Sequence, residues 1–254
     1  TKQAHTKAVT GIAFFKDGRR IVTASRDKTL RIWDVEKRAF IGRSFEGHIH
    51  YVTSVAISPD DMRIASGGDD DTIIIWDVAS KQMVLRPLVK HADQVSSVCF
   101  SPMERDLPAG HGIKQKIYGT LRNIRIWSTD DVTFLLNINA HGDWVESVVW
   151  SFDGQQLVSA SGDRTIKFWN SSNGFQIGLP CIGHISYIRS LAISSDGSFI
   201  ATTSRDKTVR LWDTQSHQQI GQAPEHTAYL DCVAISLNGE LIASGDSDGK
   251  LQLW

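Results

Sequence analysis

Six tryptophans divide the chain at nearly regular intervals, and this regularity restricts the folds that are open to it. They are separated by 43, 51, 42, 43 and 42 residues and are Trp33, Trp76, Trp127, Trp169, Trp212 and Trp254. Whole segments also recur, as RDKTLRIWD at 26–34 and RDKTVRLWD at 205–213. A period of this length indicates an array of repeated structural units, because a single catalytic loop would occur only once.

Three other residue types keep a fixed distance from the tryptophan in five of the six units. A His lies 28 residues before it, a Ser or Thr ten before and an Asp six before. The sets are His5, Thr23, Asp27 and Trp33; His48, Ser66, Asp70 and Trp76; His141, Ser159, Asp163 and Trp169; His184, Thr202, Asp206 and Trp212; His226, Ser244, Asp248 and Trp254. Between these positions, short runs rich in Val, Ile and Thr alternate with turn sequences, which predicts four short strands in each unit.

One unit shows the complete pattern as His48…Val52-Thr53-Ser54-Val55…Ser58-Pro59-Asp60…Ser66-Gly67…Asp70…Trp76-Asp77. This pattern resembles the WD40 repeat, and the resemblance covers essentially the whole chain. It implies an all-β fold, a WD40 β-propeller of six four-stranded blades in a single domain. The units span approximately 1–45, 46–88, 89–138, 139–180, 181–223 and 224–254. The resemblance also implies that the His, hydroxyl, Asp and Trp of each unit form a hydrogen-bonded structural tetrad.

Composition excludes several classes of function. The net charge of −1 gives no electrostatic basis for binding nucleic acid, which normally requires a basic face. No apolar run is long enough to span a membrane. The separated cysteines Cys99, Cys181 and Cys232 fit a reducing compartment, so we expect a cytoplasmic protein, with the nucleus as an open alternative. No metal-ligand spacing and no phosphate-binding loop occurs, so we predict neither a metal nor a cofactor.

The third unit departs from the repeat. Ile117 and Leu121 stand where the other units have the hydroxyl and the Asp, and residues 103–122 contain extra length. Two interpretations stay open: a genuine loop insertion, or a segment whose reading frame has been disrupted. Under either interpretation, we expect this unit to lack its tetrad.

The last unit reaches Trp254 at the end of a third strand, so we expect the sixth blade to lack its outer strand. Only Thr1–Ala4 precede the first His and could supply that strand. We therefore expect either a six-bladed ring with incomplete closure or a fragment of a larger array, and self-association through the unclosed edge. The uniform units also resemble the C-terminal propellers of large multidomain signalling proteins.

If the tetrads are structural, binding must use residues that vary between units. Positions three and five after each His, and the position before each turn Asp, are predicted to lie on the top rim, where WD40 proteins often bind partners. The predicted partner-binding residues are Tyr51, Trp144, Glu146, Tyr187, Arg189, Tyr229, Asp231, Arg26, Asp69 and Arg205. Aromatic residues and arginines are typical of interface hot spots. We therefore predict a non-enzymatic scaffold that binds other proteins.

Two alternatives from other classes stay open. Aromatic residues around a pocket would favour a module that binds a glycan or a modified peptide. Ser66, His48 and Asp70 are the residue types of a hydrolase triad, but the set recurs in five units. Five blades need five structural braces, whereas an enzyme has no use for five nucleophiles, so we predict no catalytic residues.

Overall fold

The computed structural model describes residues 5–84, 88, 94–102, 116–119, 122–128, 133–236 and 238–254. Every regular element in these residues is a β-strand, which confirms the predicted all-β class. The chain divides into two compact units. Unit 1 comprises Thr1–Leu121 and Arg125–Leu135, and unit 2 comprises Arg122–Ile124 and Leu136–Trp254. No helix long and apolar enough to cross a membrane is present in the described residues.

Two sheets lie wholly within unit 1. Sheet 1 consists of β1 (Val9–Phe14), β2 (Arg20–Ser25), β3 (Thr29–Asp34), β4 (Ala39–Phe40) and β5 (Phe45–Glu46). Sheet 2 consists of β6 (Val52–Ile57), β7 (Arg63–Gly68) and β8 (Ile73–Asp77). Sheet 3 draws on residues of both units and consists of β9 (Lys116–Gly119), β10 (Asn123–Ser128) and β11 (Phe134–Asn139), in the order β11-β10-β9.

Unit 2 contains three sheets of antiparallel strands in chain order. Sheet 4 consists of β12 (Val145–Trp150), β13 (Gln156–Ser161), β14 (Thr165–Asn170) and β15 (Gln176–Ile182). Sheet 5 consists of β16 (Ile188–Ile193), β17 (Phe199–Ser204), β18 (Val209–Asp213) and β19 (Gln219–Ile220). Sheet 6 consists of β20 (Leu230–Ile235), β21 (Ile242–Asp246) and β22 (Leu251–Leu253).

The predicted arrangement of four strands is found in some of the described sheets and not in others. Sheets 4 and 5 have four strands, whereas the outer strand of sheet 1 is split into β4 and β5 around Gly42, which has a φ of 70°. In sheet 2 the described part of the outer segment makes only isolated bridges, from Met83 to Trp76 and from Leu88 to Ile73. An outer strand has one neighbour instead of two, so its pairing is the least supported in a sheet. Sheet 6 has three strands within the described residues, as expected for the last unit.

The third unit also differs from the prediction. Residues 94–99 form no strand, although Val95, Val98 and Phe100 are buried against the apolar side of sheet 2. Most of the irregular segment 103–122, as well as Thr1–Ala4, lies outside the described residues. The two interpretations of that segment therefore stay open.

The hydrophobic core lies between successive sheets. Side chains alternate along a strand, so each sheet has two faces. We call the face that contains Val22, Ala24, Leu30 and Ile32 the trailing face of sheet 1, and the opposite one its leading face. The trailing face of sheet 1 packs on the leading face of sheet 2, where Val52, Ile64 and Trp76 are buried. Burying one such large side chain contributes roughly 1.5–3 kcal/mol, and this packing aligns the ends of neighbouring sheets.

Candidate functional site

A hydrogen-bonded network links two strands of sheet 5 with the turn between them and with the segment before the first strand. The His184 Nδ1 group lies 2.7 Å from Asp206 Oδ2, and His184 Nε2 lies 2.8 Å from Thr202 Oγ1. The same hydroxyl oxygen accepts a hydrogen bond of 2.9 Å from Trp212 Nε1. The network joins the segment before β16 to the strands β17 and β18 and to the turn between them, so it fixes the positions of the strand ends.

The predicted residues of sheets 1, 2 and 4 make equivalent contacts. The distance from His Nδ1 to the carboxylate is 2.8 Å for His5, 2.9 Å for His48 and 2.9 Å for His141. In each of these sheets the distance from His Nε2 to the hydroxyl is 2.7 Å. The indole donates to that hydroxyl over 2.9, 2.8 and 2.8 Å in Trp33, Trp76 and Trp169.

A fifth participant was missed in the sequence. In four sheets a Thr two residues after the turn Asp donates its hydroxyl proton to that carboxylate over 2.6–2.7 Å, as Thr29, Thr72, Thr165 and Thr208 do. The recurring Asp-x-Thr of each turn was the available signal. A carboxylate that accepts from His, a hydroxyl and backbone N–H groups is held by several charge-assisted bonds at once.

Sheet 6 corrects one predicted tetrad. His226 lies 2.8 Å from Ser244, and Trp254 donates to the same hydroxyl over 2.8 Å, but Asp248 is exposed instead of facing the imidazole. The nearest carboxylate is Asp246, whose Oδ2 lies 3.6 Å from His226 Nδ1. Lys250 replaces the Thr that holds the turn carboxylate in the other four sheets. Asp248 therefore lacks its hydroxyl donor, and in this sheet the imidazole makes its hydrogen bond to the hydroxyl without the short carboxylate contact found in the other four.

Burial and hydrogen bonding act on the protonation of these groups. Burial lowers the pKa of His184 and His141 below 6.5, and the facing carboxylates reverse only part of this effect. A neutral imidazole donates from Nδ1 to the Asp and accepts from the hydroxyl at Nε2. Burial raises the pKa of Asp206, but the hydrogen bonds from His184 and Thr208 outweigh this and hold the pKa well below 3.8.

The geometry of Ser66, His48 and Asp70 resembles that of a hydrolase triad, but the serine is not accessible. Ser66 is 0% exposed, and its oxygen already accepts a hydrogen bond from Trp76. A nucleophile must reach a substrate carbonyl, and this oxygen is enclosed within the sheet. The arrangement therefore favours a brace between strands over a nucleophile.

These pKa directions predict acid sensitivity. The hydrogen bonds from Thr29 and His5 outweigh burial and lower the pKa of Asp27 to about 2. A group with a lowered folded-state pKa contributes stability above its unfolded pKa and loses it as the pH falls through the folded value. We expect the melting temperature to begin falling below pH 6.5, because His141 and His184 bind protons more readily in the unfolded chain than in the folded protein. It should fall further between pH 3.8 and about 2, where Asp27 becomes protonated.

Scanning calorimetry over this pH range would measure the effect. Asp206→Asn is the matched variant, because it removes one of the carboxyl groups whose pKa is lowered in the folded protein. The melting temperature of this variant should depend less on pH at the acidic end of the range. A melting temperature that is constant from pH 7 to pH 3 would contradict the prediction.

A β-bulge repeats at the start of the first strand in five sheets. In β12, Val145 pairs with Ser161 and Ser147 pairs with Ala160, so Glu146 has no partner in the ladder. The residues passed over in this way are Thr10, Thr53, Glu146, Arg189 and Asp231. Bulges redirect side chains at the end of a strand. They therefore direct this position toward the neighbouring sheet, which the sequence pattern alone did not indicate.

In unit 2 the bulged residues form a chain of ion pairs across three sheets. Arg189 Nη1 lies 2.6 Å from Glu146 Oε2, and Arg189 Nε lies 3.7 Å from Asp231 Oδ1. Burial raises the pKa of Glu146 above 4.5, and its pairing with Arg189 only partly opposes this. The opposite charges cancel locally, so this surface is polar without a strong net field.

Three aromatic side chains stand beside these ion pairs. Trp144 is 47% exposed, Tyr187 46% and Tyr229 54%. Their backbone carbonyls accept hydrogen bonds of 2.8–2.9 Å from Gly162, Arg205 and Ser247 in the adjoining turns. The Arg205 guanidinium lies 5.8 Å from the centre of the Tyr187 ring. We call Trp144, Glu146, Tyr187, Arg189, Arg205, Tyr229 and Asp231 the unit 2 rim patch.

Unit 1 carries its own smaller group. Tyr51 is half-buried, and the Arg26 guanidinium lies 5.9 Å from the centre of its ring. The His50 ring lies 4.7 Å from that of Tyr51, and His50 Nδ1 lies 3.4 Å from Asp69 Oδ2. The predicted residues Arg26, Tyr51 and Asp69 are therefore neighbours. Ile49 and Ile185, the apolar residues directly after two of the tetrad histidines, are exposed and lie two residues before Tyr51 and Tyr187; the repeat pattern did not indicate them.

A metal site and an aromatic-lined pocket are not supported by the described residues. Within them, no group of three or more His, Cys, Asp or Glu side chains is placed to hold a metal ion. A cavity of about 510 Å³ in unit 2 is lined by residues such as Gln156, Leu179 and His217. These residues do not belong to the unit 2 rim patch, so the aromatic side chains of the patch do not line this cavity.

Comparison with known sequences identifies the repeats. The model of the family described as WD domain, G-beta repeat matches residues 1–34, 41–77, 132–170, 178–213 and 217–254. The chain belongs to the WD40 family. The prediction of six WD40 blades is corrected to five matched repeats, since nothing between residues 77 and 132 is matched. That stretch contains the third unit, in which Ile117 and Leu121 replace the hydroxyl and the carboxylate of the tetrad.

Two curated relatives share parts of this WD40 protein. Lissencephaly-1 homolog 1 of Paramecium tetraurelia is 39% identical over 49 residues, which are 19% of this chain and 12% of the relative. Nucleoporin Nup37 of Drosophila melanogaster is 35% identical over 68 residues, which are 27% of this chain and 19% of the relative. The chain thus aligns with only a small part of each relative, and the similarity is that of one or two repeats.

Proposed function

We propose that this WD40 protein is a non-enzymatic scaffold that binds other proteins through the unit 2 rim patch. The observation that carries the proposal is the exposure of Trp144, Tyr187 and Tyr229 beside the ion pairs of Arg189. Large apolar rings with few rotatable bonds, placed next to an Arg, are the residues that contribute most to protein interfaces.

Preorganisation supports the same proposal. The backbone carbonyl groups of the three aromatic residues accept hydrogen bonds from backbone N–H groups of Gly162, Arg205 and Ser247. Each of these donors directly precedes the position of the turn Asp in its repeat. Their backbone is therefore held before a partner arrives, which reduces the entropy lost on binding. The Glu146–Arg189–Asp231 ion pairs keep charged groups paired at the edge of the aromatic surface, so a partner that covers them meets no isolated charge.

The proposed partner is a protein rather than a nucleic acid or a membrane. The chain has a net charge of −1, and the rim patch balances acidic against basic residues. Cys99, Cys181 and Cys232 are all free, which supports placement in the reducing cytoplasm or nucleus. By analogy with other uniform arrays, the repeats would serve as the binding part of a larger signalling protein.

Replacing two of the aromatic side chains tests the proposal. Trp144→Ala together with Tyr187→Ala should reduce the recovery of specific partners by about tenfold or more, the loss typical of hot-spot residues. The immobilised protein would be incubated with native extract, and bound proteins would be quantified by mass spectrometry. Because both side chains are about half exposed, the melting temperature should change little.

Phe175→Ala is the matched control. Phe175 is also exposed, but its carbonyl accepts from Asn170 at the opposite end of sheet 4. Phe175→Ala removes an exposed aromatic ring outside the unit 2 rim patch and should leave recovery unchanged. Equal recovery with the double variant and the wild type would reject the rim patch. Loss of carbohydrate binding rather than protein binding in the double variant would favour the glycan-binding alternative.

A further inference from the structure

Two neighbouring cavities open between sheets 4 and 5, at the ends of the strands that lie away from the tetrad turns. Their volumes are about 510 and 280 Å³. Gln156, Thr214 and Gln215 line both of them, so the two cavities form one continuous space. We call this space the sheet 4–5 groove. Both sheets belong to unit 2, and no residue of the unit 2 rim patch lines the groove.

The inner wall of the groove is apolar. Val158 and Phe168 of sheet 4 line the smaller cavity, and each is only 1% exposed. The His217 ring stacks on that of Phe168 with 4.0 Å between the ring centres, and His217 Nδ1 lies 3.3 Å from the carbonyl oxygen of Leu179. The imidazole therefore forms a fixed side of the groove, and an apolar side chain that enters the groove has a surface on which to pack.

Two carboxylates line the same smaller cavity, Asp153 from sheet 4 and Asp196 from sheet 5. Each accepts hydrogen bonds from a serine two residues earlier and from a backbone N–H two residues later, which fixes its position. The bonds from Ser194 and Ser198 lower the pKa of Asp196 to about 2, so this carboxylate is charged at neutral pH. No Lys or Arg lines either cavity, and neither carboxylate has an ion-pair partner among the described residues.

The equivalent carboxylates of unit 1 have a cation within their own chain. Asp17 pairs with Arg20 Nε over 2.6 Å. Asp60 also has an arginine three residues later, Arg63. Burial raises the pKa of Asp60, but hydrogen bonds within its turn and the charge of Arg63 hold it below 3.8. In unit 1 the repeat thus neutralises this turn from within.

Unit 2 lacks these arginines. Gln156 and Phe199 stand three residues after Asp153 and Asp196, at the positions that Arg20 occupies in sheet 1. Gln156 carries no charge, and it is one of the residues that line both cavities. The groove therefore lies beside the position from which unit 1 supplies its cation, and the carboxylates at its end are left with unneutralised charge.

We propose that the sheet 4–5 groove binds a segment of a partner protein in which an Arg or Lys lies next to an apolar residue. The cation pairs with the carboxylates of Asp153 and Asp196 and replaces the arginine that unit 2 lacks. Charge-assisted hydrogen bonds of this kind are among the strongest in proteins. The neighbouring apolar side chain packs on Val158 and Phe168. This site lies at the opposite ends of the strands from the unit 2 rim patch, so one molecule can hold two proteins at once.

Peptide binding tests the proposal. The probes are fluorescein-labelled hexapeptides that alternate Arg or Lys with Leu, Val or Phe, and fluorescence anisotropy measures their dissociation constants. Citrulline in place of Arg removes the charge and keeps the shape, and Ser in place of Leu removes the apolar group. Either replacement should weaken binding by about tenfold or more, the effect of losing one charge-assisted bond or one buried side chain. Equal affinity for the serine peptides would mean that the carboxylates only attract cations, and would reject the proposal.

Two variants of the groove give the complementary test. Gln156→Arg places the cation of unit 1 beside the carboxylates and should weaken binding of the basic peptides by about tenfold or more. Asp153→Asn together with Asp196→Asn should do the same by removing the charge. These turns should stay intact, because Asn238 at the equivalent position of sheet 6 accepts the same hydrogen bonds from Ser236 and from the backbone of Glu240.

Controls separate the groove from general charge effects and from rim binding. Asp17→Asn removes an equivalent carboxylate that is already paired with Arg20, so it should leave peptide affinity unchanged. The double variant of Trp144 and Tyr187 should bind the peptides like the wild type, which keeps this result independent of the rim patch. Circular dichroism shows whether each variant is folded. Unchanged affinity in folded Gln156→Arg, or an equal loss in Asp17→Asn, would overturn the proposal.

Discussion

Replacing Asp206 by alanine should lower the free energy of unfolding by about 3–5 kcal/mol, because buried hydrogen-bond donors lose their acceptor. The Asp206 carboxylate accepts hydrogen bonds from His184 Nδ1, from the Thr208 hydroxyl and from the backbone N–H of Ile185. Its removal leaves a buried imidazole N–H and a buried hydroxyl without an acceptor, and each such loss costs about 1–3 kcal/mol.

Asp248→Ala is the matched control for Asp206→Ala. The two residues occupy equivalent positions six before a tryptophan, but Asp248 is exposed and its carboxylate does not contact His226. Its replacement should change stability by less than about 0.5 kcal/mol, as is usual for surface substitutions. Urea unfolding followed by tryptophan fluorescence would measure both variants. Similar losses for the two would show that Asp248 stabilises its sheet as Asp206 does, which would contradict its exposed position outside the network.

Trp212→Ala should destabilise unit 2 by about 3–5 kcal/mol, the range for truncating a fully buried aromatic side chain. The Trp212 ring is buried between sheets 4 and 5, where it packs in the cluster of Val158, Phe168 and Ile188. The substitution removes this packing and also leaves the Thr202 hydroxyl without its indole donor. Hydrogen exchange measured by mass spectrometry should show faster exchange in β17 and β18.

Trp33→Ala separates packing from hydrogen bonding. Trp33 makes the same indole bond of 2.9 Å to its hydroxyl partner Thr23, but it lies half-buried on the leading face of sheet 1. Trp33→Ala should therefore cost about 2 kcal/mol less than Trp212→Ala, because less packing is lost. Equal losses would mean that the hydrogen bond, rather than burial between sheets, determines the contribution of these tryptophans.

Much of the local structure could be predicted from the repeat. The fixed offsets of His, hydroxyl, Asp and Trp predicted which residues would be close, because the same offsets place them at the same points of three adjacent strands. This reasoning failed at Asp248, where an acidic residue at the expected offset lacks the Thr that holds the carboxylate elsewhere. Position alone could not show that Asp246 lies nearer to the imidazole.

The rim was only partly predictable. Counting from each His identified the aromatic positions, but the ion pairs of Arg189 depend on bulges that interrupt the ladder at Glu146, Arg189 and Asp231. A bulge depends on backbone pairing with the next strand, and side-chain periodicity contains no signal for it. Distances between residues of neighbouring sheets likewise require the packing of one sheet on the next.

By itself, the sequence determined the all-β class, the WD40 repeat and the composition of the tetrads, because these depend on local spacing within a unit of about 40 residues. Only the tertiary structure decided which tetrad is altered, which bulged residues form ion pairs, and which apolar faces pack on a neighbouring sheet. Val9 and Val52 occupy the same place in their repeats, and one is exposed while the other is buried. The physical reason is that burial of a face depends on whether another sheet packs against it, and that is not a property of the strand.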